Sequence, residues 1–367
     1  MWWKLLQQNK FAVSPRYWGR ALLVTLVSLL NSRRRTRELQ MLESVPKDLD
    51  VEPPVFVLGH WRSGTTLLHN LLTLDERFAY PNLFEVLNPS TFLTREEAAL
   101  EALSRIQPRK RTMDDVQITP VSPGEDEFAI AAMSHCSPLM GWSFPARESV
   151  YDRYLTLRDV APHELQAWKN ALMLFLRKLT YRYQRPLLLK SPTHTARIRV
   201  LLDLFPEARF VHIHRNPYRV FQSTLGLYRK TVPHFYMQVP REDYIEEGII
   251  RRYRMMYAAF FQDRELIPQG HYYEVCFEDL EQDMVRQVAG IYEGLGLDGL
   301  AQVEPKLKEY VASIANYQKT SHKPLPDPIR QRLVQEWRPC FEEWGYLRES
   351  LTGDEHRQMA EQPLAVG

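Results

Sequence analysis

Four short, mostly apolar runs recur along the chain, with helically spaced segments between them. PVFVLG at 54–59 is continuously apolar, and similar apolar strands recur at PLLLK, 186–190, RFVHIH, 209–214, and HYYEVCF, 271–277. That is the habit of strands buried on both faces. Helical spacing occupies 67–74, Glu164–Tyr181, Ala196–Phe205, Val220–Arg229 and Tyr244–Leu266. Strands alternating with helices predict an α/β fold, a mainly parallel sheet flanked by helices, whose ligands lie beyond the carboxyl ends of the strands. Residues 86–160 break the rhythm with turn-rich pieces such as ITPVSPGED, and are expected to form an irregular, partly helical insertion that builds substrate surface.

The N-terminal 50 residues form a separate helical region, closed by VEPP at 51–54, where two prolines stop a helix and keep the next segment extended. A body of 51–350 and a polar, frayed tail of 351–367 complete the organisation. The first 37 residues hold eight Lys or Arg and no Asp or Glu; subtracting these from the overall +2 leaves −6 on the rest. That balance excludes nucleic acid as a partner of the whole protein. The leader also holds Trp2, Trp3, Phe11, Tyr17 and Trp18 and an apolar run, Ala21 to Leu30, that is too short for the ~20 residues a bilayer span requires. It makes a poor signal peptide, and in a eukaryote its composition would suit a mitochondrial address. Two readings stand: an interfacial helix giving residues 1–37 peripheral membrane contact, or a helix docked on the protein's own core.

Composition, with 44% hydrophobic and 25% charged residues, is that of a folded globular chain. Cys136, Cys276 and Cys340 stand far apart, which argues against a disulfide framework or zinc site and for a reduced, cytoplasmic setting, with any membrane contact on the inner face. His212 and His214 alternate on a strand without further ligands and read as core groups.

Chemistry concentrates at strand ends. GHWRSGTT, 59–66, has the glycine spacing of a nucleotide phosphate loop, but Thr65 stands where that loop requires lysine. Glycines and a helix start still favour an anion, the hydroxyls of Thr65 and Thr66 add donors, and the cation has moved to Arg62. Arg215 and Ser223 lie eight residues apart, on a strand end and two turns into the next helix, where they can meet on one anion. The run Arg62, Ser63, Gly64, Thr65, Thr66 resembles the 5'-phosphosulfate loop of the sulfotransferase superfamily, and GHWRSGTTLLHNLL resembles a bacterial-type branch of it. The resemblance covers roughly 54–346 and implies a P-loop-like fold. It also implies 3'-phosphoadenosine-5'-phosphosulfate as co-substrate, no required metal, and Arg215 with Ser223 on the 3'-phosphate.

Lys190 ends a buried strand where ligands bind and can donate to a developing sulfate oxygen; tyrosylprotein sulfotransferases place a lysine similarly. For the base that takes the acceptor proton, Glu85 comes first by its place after the loop helix. The cluster Glu125, Asp126, Glu127 comes second, with Glu127 foremost in it, and His69 remains further behind. The cluster also reads as a helix-capping run. His194 is open between a supporting donor and a helix-start residue, and Trp142 and Phe144 between an apolar acceptor pocket and core packing. In the basic loop 317–333, Ser321 and Lys323 match a late loop that closes over the donor in the family. The acceptor is expected to be a small or lipid-like molecule with a hydroxyl. The rivals are a P-loop kinase using ATP, disfavoured by the missing lysine, and a non-catalytic nucleotide-binding, membrane-associated protein.

Overall fold

The computed structural model describes residues 2–43, 49–94, 109–110, 117–241, 243–315 and 324–349. Its centre is a four-stranded, all-parallel sheet of β1 (Val55–Leu58), β2 (Leu188–Lys190), β3 (Arg209–His214) and β4 (Tyr272–Cys276), in the spatial order β2-β1-β3-β4. All four sequence-predicted strands form. Val55 pairs with Leu188 on one side and Arg209 on the other, and His214 with Cys276, so the carboxyl ends of the strands lie on one edge. Phe56 of β1 stacks on Phe210 of β3 at 5.6 Å between ring centres, and both are buried.

Helices cover both faces. The loop after β1 leads into α3 (Thr65–Leu72), the turn after β3 into α8 (Pro217–Lys230), and β4 passes directly into α10 (Phe277–Gln282). Between them lie α4 (Leu83–Leu87), α5 (Asp126–Ser134), α6 (Pro162–Tyr183), α7 (Ile198–Leu204) and α9 (Asp243–Asp263). Local chemistry sets several starts: the Asn216 side chain accepts from the Tyr218 N–H, and Pro217 fixes the first turn of α8. Within the described part of 86–160, the expected insertion carries α5 and several single-turn helices.

The N-terminal region folds as α1 (Trp2–Gln8) and the 26-residue α2 (Trp18–Glu43). Trp2, Leu5 and Leu6 are buried in the main core, each such side chain contributing about 1.5–3 kcal/mol over exposure. Asn9 donates to the Tyr151 hydroxyl at 2.6 Å and Arg20 to the Tyr236 carbonyl at 2.6 Å. Glu38 at the far end of α2 forms a buried ion pair with Lys178. Of the two readings of this leader, core docking is therefore realised by one face of the pair. The opposite face, Leu22 and its neighbours, stays exposed. No helix among the described residues is long and apolar enough to cross a membrane.

His212 and His214 are packed groups: His212 Nδ1 lies 2.8 Å from Glu274, and His214 stacks on Trp344 at 4.7 Å. All three cysteines are free thiols. Ser321 and Lys323, and with them the first part of the late loop, lie outside the described residues.

Candidate active site

β1 ends at Gly59, where the chain must turn between neighbours: a Cβ there would lie 2.5 Å from the Ile213 carbonyl oxygen and 2.7 Å from Ser63 Oγ. The Gly59 N–H donates to the Thr195 hydroxyl at 2.7 Å, and the Ser63 N–H and hydroxyl both donate back to the His60 carbonyl, at 3.1 and 2.8 Å. The loop is thereby closed on itself. Arg62 (φ 72°) and Gly64 (φ 104°) take left-handed conformations, and Gly64 leads into α3 with no side-chain cap on its first N–H groups. Those donors, with the hydroxyls of Thr65 and Thr66, suit a tetrahedral anion.

Arg62 of the loop comes together here with Arg215 and Ser223, the pair expected to meet on one anion. Arg62 Nε donates to Ser223 Oγ at 2.8 Å, across 161 positions of sequence, and Arg215 Nη1 reaches the Arg62 carbonyl at 3.4 Å. Arg215 lies over the Phe277 ring at 3.9 Å. Phe277 is also the side chain that a Cβ on Gly64 would strike, at 2.6 Å from Cε2 and closer still to Cδ2. Burial lowers the Arg215 pKa from its ordinary value, yet a guanidinium stays charged. Two guanidinium groups, a hydroxyl and a helix start thus lie together at the carboxyl ends of β1 and β3.

On the β2 side, buried Lys190 donates to Glu125 Oε1 at 2.6 Å. The three consecutive acids at the head of α5 have three separate tasks. Glu127 is buried in a bidentate pair with Arg197, at 2.6 and 3.1 Å, and also accepts from Ser137 and Thr193. Asp126 meets His194 Nε2 at 2.6 Å and accepts from Ser191. Burial pushes the Asp126 carboxyl up, but His194 and Ser191 outweigh it and hold it below its usual range. Glu125 alone faces the strand-end lysine, with a side chain 21% exposed. Asp126 and Glu127 lock α5 onto the 191–197 turn, so the Lys190–Glu125 pair sits on a rigid base.

Glu85 occupies different surroundings. Its Oε2 accepts from the Asn82 N–H at 2.7 Å while Asn82 Oδ1 accepts from the Glu85 N–H, a capping box that starts α4. Its Oε1 accepts from the Tyr183 hydroxyl at 2.9 Å and pairs with Arg182 at 3.4 Å. Burial raises its pKa. His69 is fully buried beside Tyr80, and burial first, then the charge of Lys190, brings its pKa down to about 3.

A small cavity adjoins the loop, lined among others by His60, Trp61, Leu139, Trp142, Leu227 and Tyr228. Trp142 Nε1 donates to the Tyr228 hydroxyl at 3.2 Å, and burial pushes the Tyr228 phenol far up. Burial holds His60 at about 3, so that imidazole is neutral at neutral pH, while Arg252, paired with Glu148 at 2.8 Å, brings one charge to the lining. Phe144, its fellow candidate, is fully buried core. Sequence reasoning did not single out Phe277, Arg197 or Tyr228; only the place of Phe277 at the end of a predicted strand gave a signal for any of them. Among the described residues, no cluster of three or more His, Cys, Asp or Glu could hold a metal ion.

Residues 53–301 match the sulfotransferase family. The chain is 35% identical over 350 residues to proteins of Mycobacterium bovis and Mycobacterium tuberculosis named omega-hydroxy-beta-dihydromenaquinone-9 sulfotransferase Stf3, covering 95% of this chain and 89% of theirs. Among solved structures it resembles sulfotransferase STF9 from Mycobacterium avium (TM-score 0.63, 19% identity, 85% of this chain and 83% of that one). It also resembles STF1 from Mycobacterium tuberculosis H37Rv (TM-score 0.59, 18% identity, 80% and 79%). These two likenesses concern the α/β, P-loop-like fold.

Proposed function

The chain belongs to the sulfotransferase family, and from that premise we propose that it moves a sulfuryl group from 3'-phosphoadenosine-5'-phosphosulfate to the hydroxyl of a lipid-like acceptor. The carrying observation is the convergence of Arg62, Ser223 and Arg215 from loop, helix and strand end, with Arg62 Nε 2.8 Å from Ser223 Oγ. In this reading Arg215 and Ser223 take the 3'-phosphate, while Ser63, Gly64, Thr65 and Thr66 hold the 5' end. Arg62 spans the two. The mainly apolar, aromatic lining beside His60 and Trp142, in which Arg252 is the one charged side chain, supports an apolar acceptor, the class to which the menaquinone derivative named for the relatives belongs.

Transfer of this kind passes through a loose transition state, so positioning and charge stabilisation supply most of the rate. The acceptor oxygen bonds to sulfur as the bond from sulfur to the bridging phosphate oxygen breaks, and the bisphosphate leaves with that oxygen. Lys190 donates to the oxygens that gain charge. The proton passes to a carboxylate, and Glu125 is the better placed: it touches Lys190 and is partly open, whereas both oxygens of Glu85 are engaged by α4 and Tyr183. A second reading keeps Glu85 as the base, because burial raises its pKa and a more basic carboxylate takes a proton more readily.

The test is transfer of labelled sulfate to a long-chain alcohol in excess chelator. Turnover should persist there, ATP should not substitute, and Glu125→Gln should lower kcat about a hundredfold while bisphosphate affinity holds. Glu85→Gln should lower the melting temperature with a smaller effect on kcat. The reverse pattern would return the role to Glu85, and a requirement for magnesium and ATP would make the protein a kinase.

A further inference from the structure

The folded body fixes which way the N-terminal helices face. α1 and α2 are held by the buried Trp2, Leu5 and Leu6, by the Ser14 N–H donating to the Met237 carbonyl at 2.9 Å, and by Arg20 on the Tyr236 carbonyl. What α2 turns outward is then a continuous aliphatic surface. Trp18, Leu22, Leu26 and Leu29 are each half or more exposed, the first 63% and Leu22 and Leu29 62%. Leu23, Val27 and Leu30 widen the stripe. At about 100° per residue these positions cover about half of the helix circumference. Trp3 and Phe11, in edge contact at 5.1 Å, are exposed as well. Water-facing surfaces of single chains rarely carry apolar patches of this extent.

Charge decides what covers it. Lys4, Lys10, Arg16, Arg34, Arg35 and Arg37 are exposed, and the first 37 residues contain no acid to offset them. A second copy of the chain would bring the same cations against themselves. An anionic lipid surface complements both properties at once, since aromatic and aliphatic side chains enter the interface while basic ones meet headgroups. We propose that the outer face of α1 and α2 docks in the plane of an anionic bilayer.

The inner side of the same helices is bonded to a segment that packs on the cavity wall. Residues 232–239, to which Ser14 and Arg20 bond, also carry Phe235, which packs on Trp142 at 5.7 Å and stacks with Phe128 at 6.4 Å. The Met237 N–H donates to the Ser143 carbonyl at 2.8 Å. The segment 232–239 therefore links the docked helices to Trp142. Resting on the function proposed above, this gives a lipid-like acceptor a short path from bilayer to loop.

The docking itself is tested without turnover, by co-sedimentation of the full chain with vesicles of phosphatidylglycerol and phosphatidylcholine. Binding should exceed that to phosphatidylcholine alone and weaken with salt. Both the triple variant Leu22→Glu, Leu26→Glu, Leu29→Glu and the triple variant Arg34→Gln, Arg35→Gln, Arg37→Gln should reduce it about tenfold or more, with melting temperature and bisphosphate affinity unchanged. Failure of the unaltered protein to sediment with anionic vesicles at low salt would overturn the proposal. So would a dimer in sedimentation equilibrium that the leucine variant dissolves while vesicle binding persists. Because vesicle binding is read apart from catalysis, a protein that docks but transfers no sulfate would refute the proposed reaction and leave the docking standing.

Discussion

Gly64→Ala probes the coupling between the phosphate loop and the arginine cluster. The backbone at Gly64 has φ 104°, and an added Cβ would lie 2.6 Å from Phe277 Cε2 and 3.3 Å from Ile213 Cδ1. Placing a side chain in a left-handed conformation costs about 1–2 kcal/mol, and forcing a methyl into a packed aromatic contact about 1–3 kcal/mol. The total of about 2–5 kcal/mol must appear somewhere. If Phe277 yields, the guanidinium of Arg215 that lies over its ring at 3.9 Å moves with it. If the loop yields, the N–H groups at the start of α3 move instead. Either response should weaken 3',5'-bisphosphoadenosine binding by about thirtyfold or more, each 1.4 kcal/mol being tenfold. If both hold, the melting temperature falls. Titration calorimetry and thermal unfolding on the same samples read both quantities. Gly226→Ala, in α8 with open space around the position, is the control and should raise stability by up to about 1 kcal/mol. A Gly64→Ala protein with unaltered melting temperature and bisphosphate affinity would refute the coupling of loop, Phe277 and Arg215.

Arg215→Ala should cost about 2–3 kcal/mol, roughly 30- to 150-fold, in bisphosphate affinity and little in AMP affinity; equal losses would remove Arg215 from the 3'-phosphate. Stability should depend on acid in a defined window, because burial holds His60 and His69 at about 3 and His135 and His214 at about 4, all below the ordinary 6.5. These groups stay neutral in the fold and gain protons on unfolding, so their contribution is complete above pH 6.5 and declines as pH falls through 6.5 toward 4. Each loses about 2 kcal/mol by pH 5. Urea midpoints that stay level from pH 8 to 5 would show that these imidazoles are not held neutral.

The sheet was legible because its information is local. A strand buried on both faces must be mainly apolar, and PVFVLG satisfies that within six residues. The loop was legible for a similar reason: strand, glycine and helix start are neighbours in sequence. The meeting of Arg62 with Ser223 was not, because it spans 161 positions and depends on β1 and β3 being adjacent, an order that hydrophobic periodicity does not encode. The leader was ambiguous on physical grounds. Leucines and valines occur on both sides of α2, so the sequence pattern does not divide an inner face from an outer one; Arg20 and Ser14, bonded to 236 and 237, make that division in the structure.

Glu125, Asp126 and Glu127 show the same limit at the site itself. As a string they are three interchangeable carboxylates before a helix, and capping alone would explain them. Successive residues entering a helix point about 100° apart, so three neighbours must face three different surroundings. Here those surroundings are Lys190, His194 and Arg197, all from one stretch at and just beyond the end of β2. The helical offset sends buried Glu127 to the guanidinium that can bind both its oxygens, and buried Asp126 to the imidazole. Glu125, the partly exposed member, is left facing the lysine at the strand end. A group that must take a proton from an incoming acceptor needs access as well as charge, and of the three only Glu125 has both.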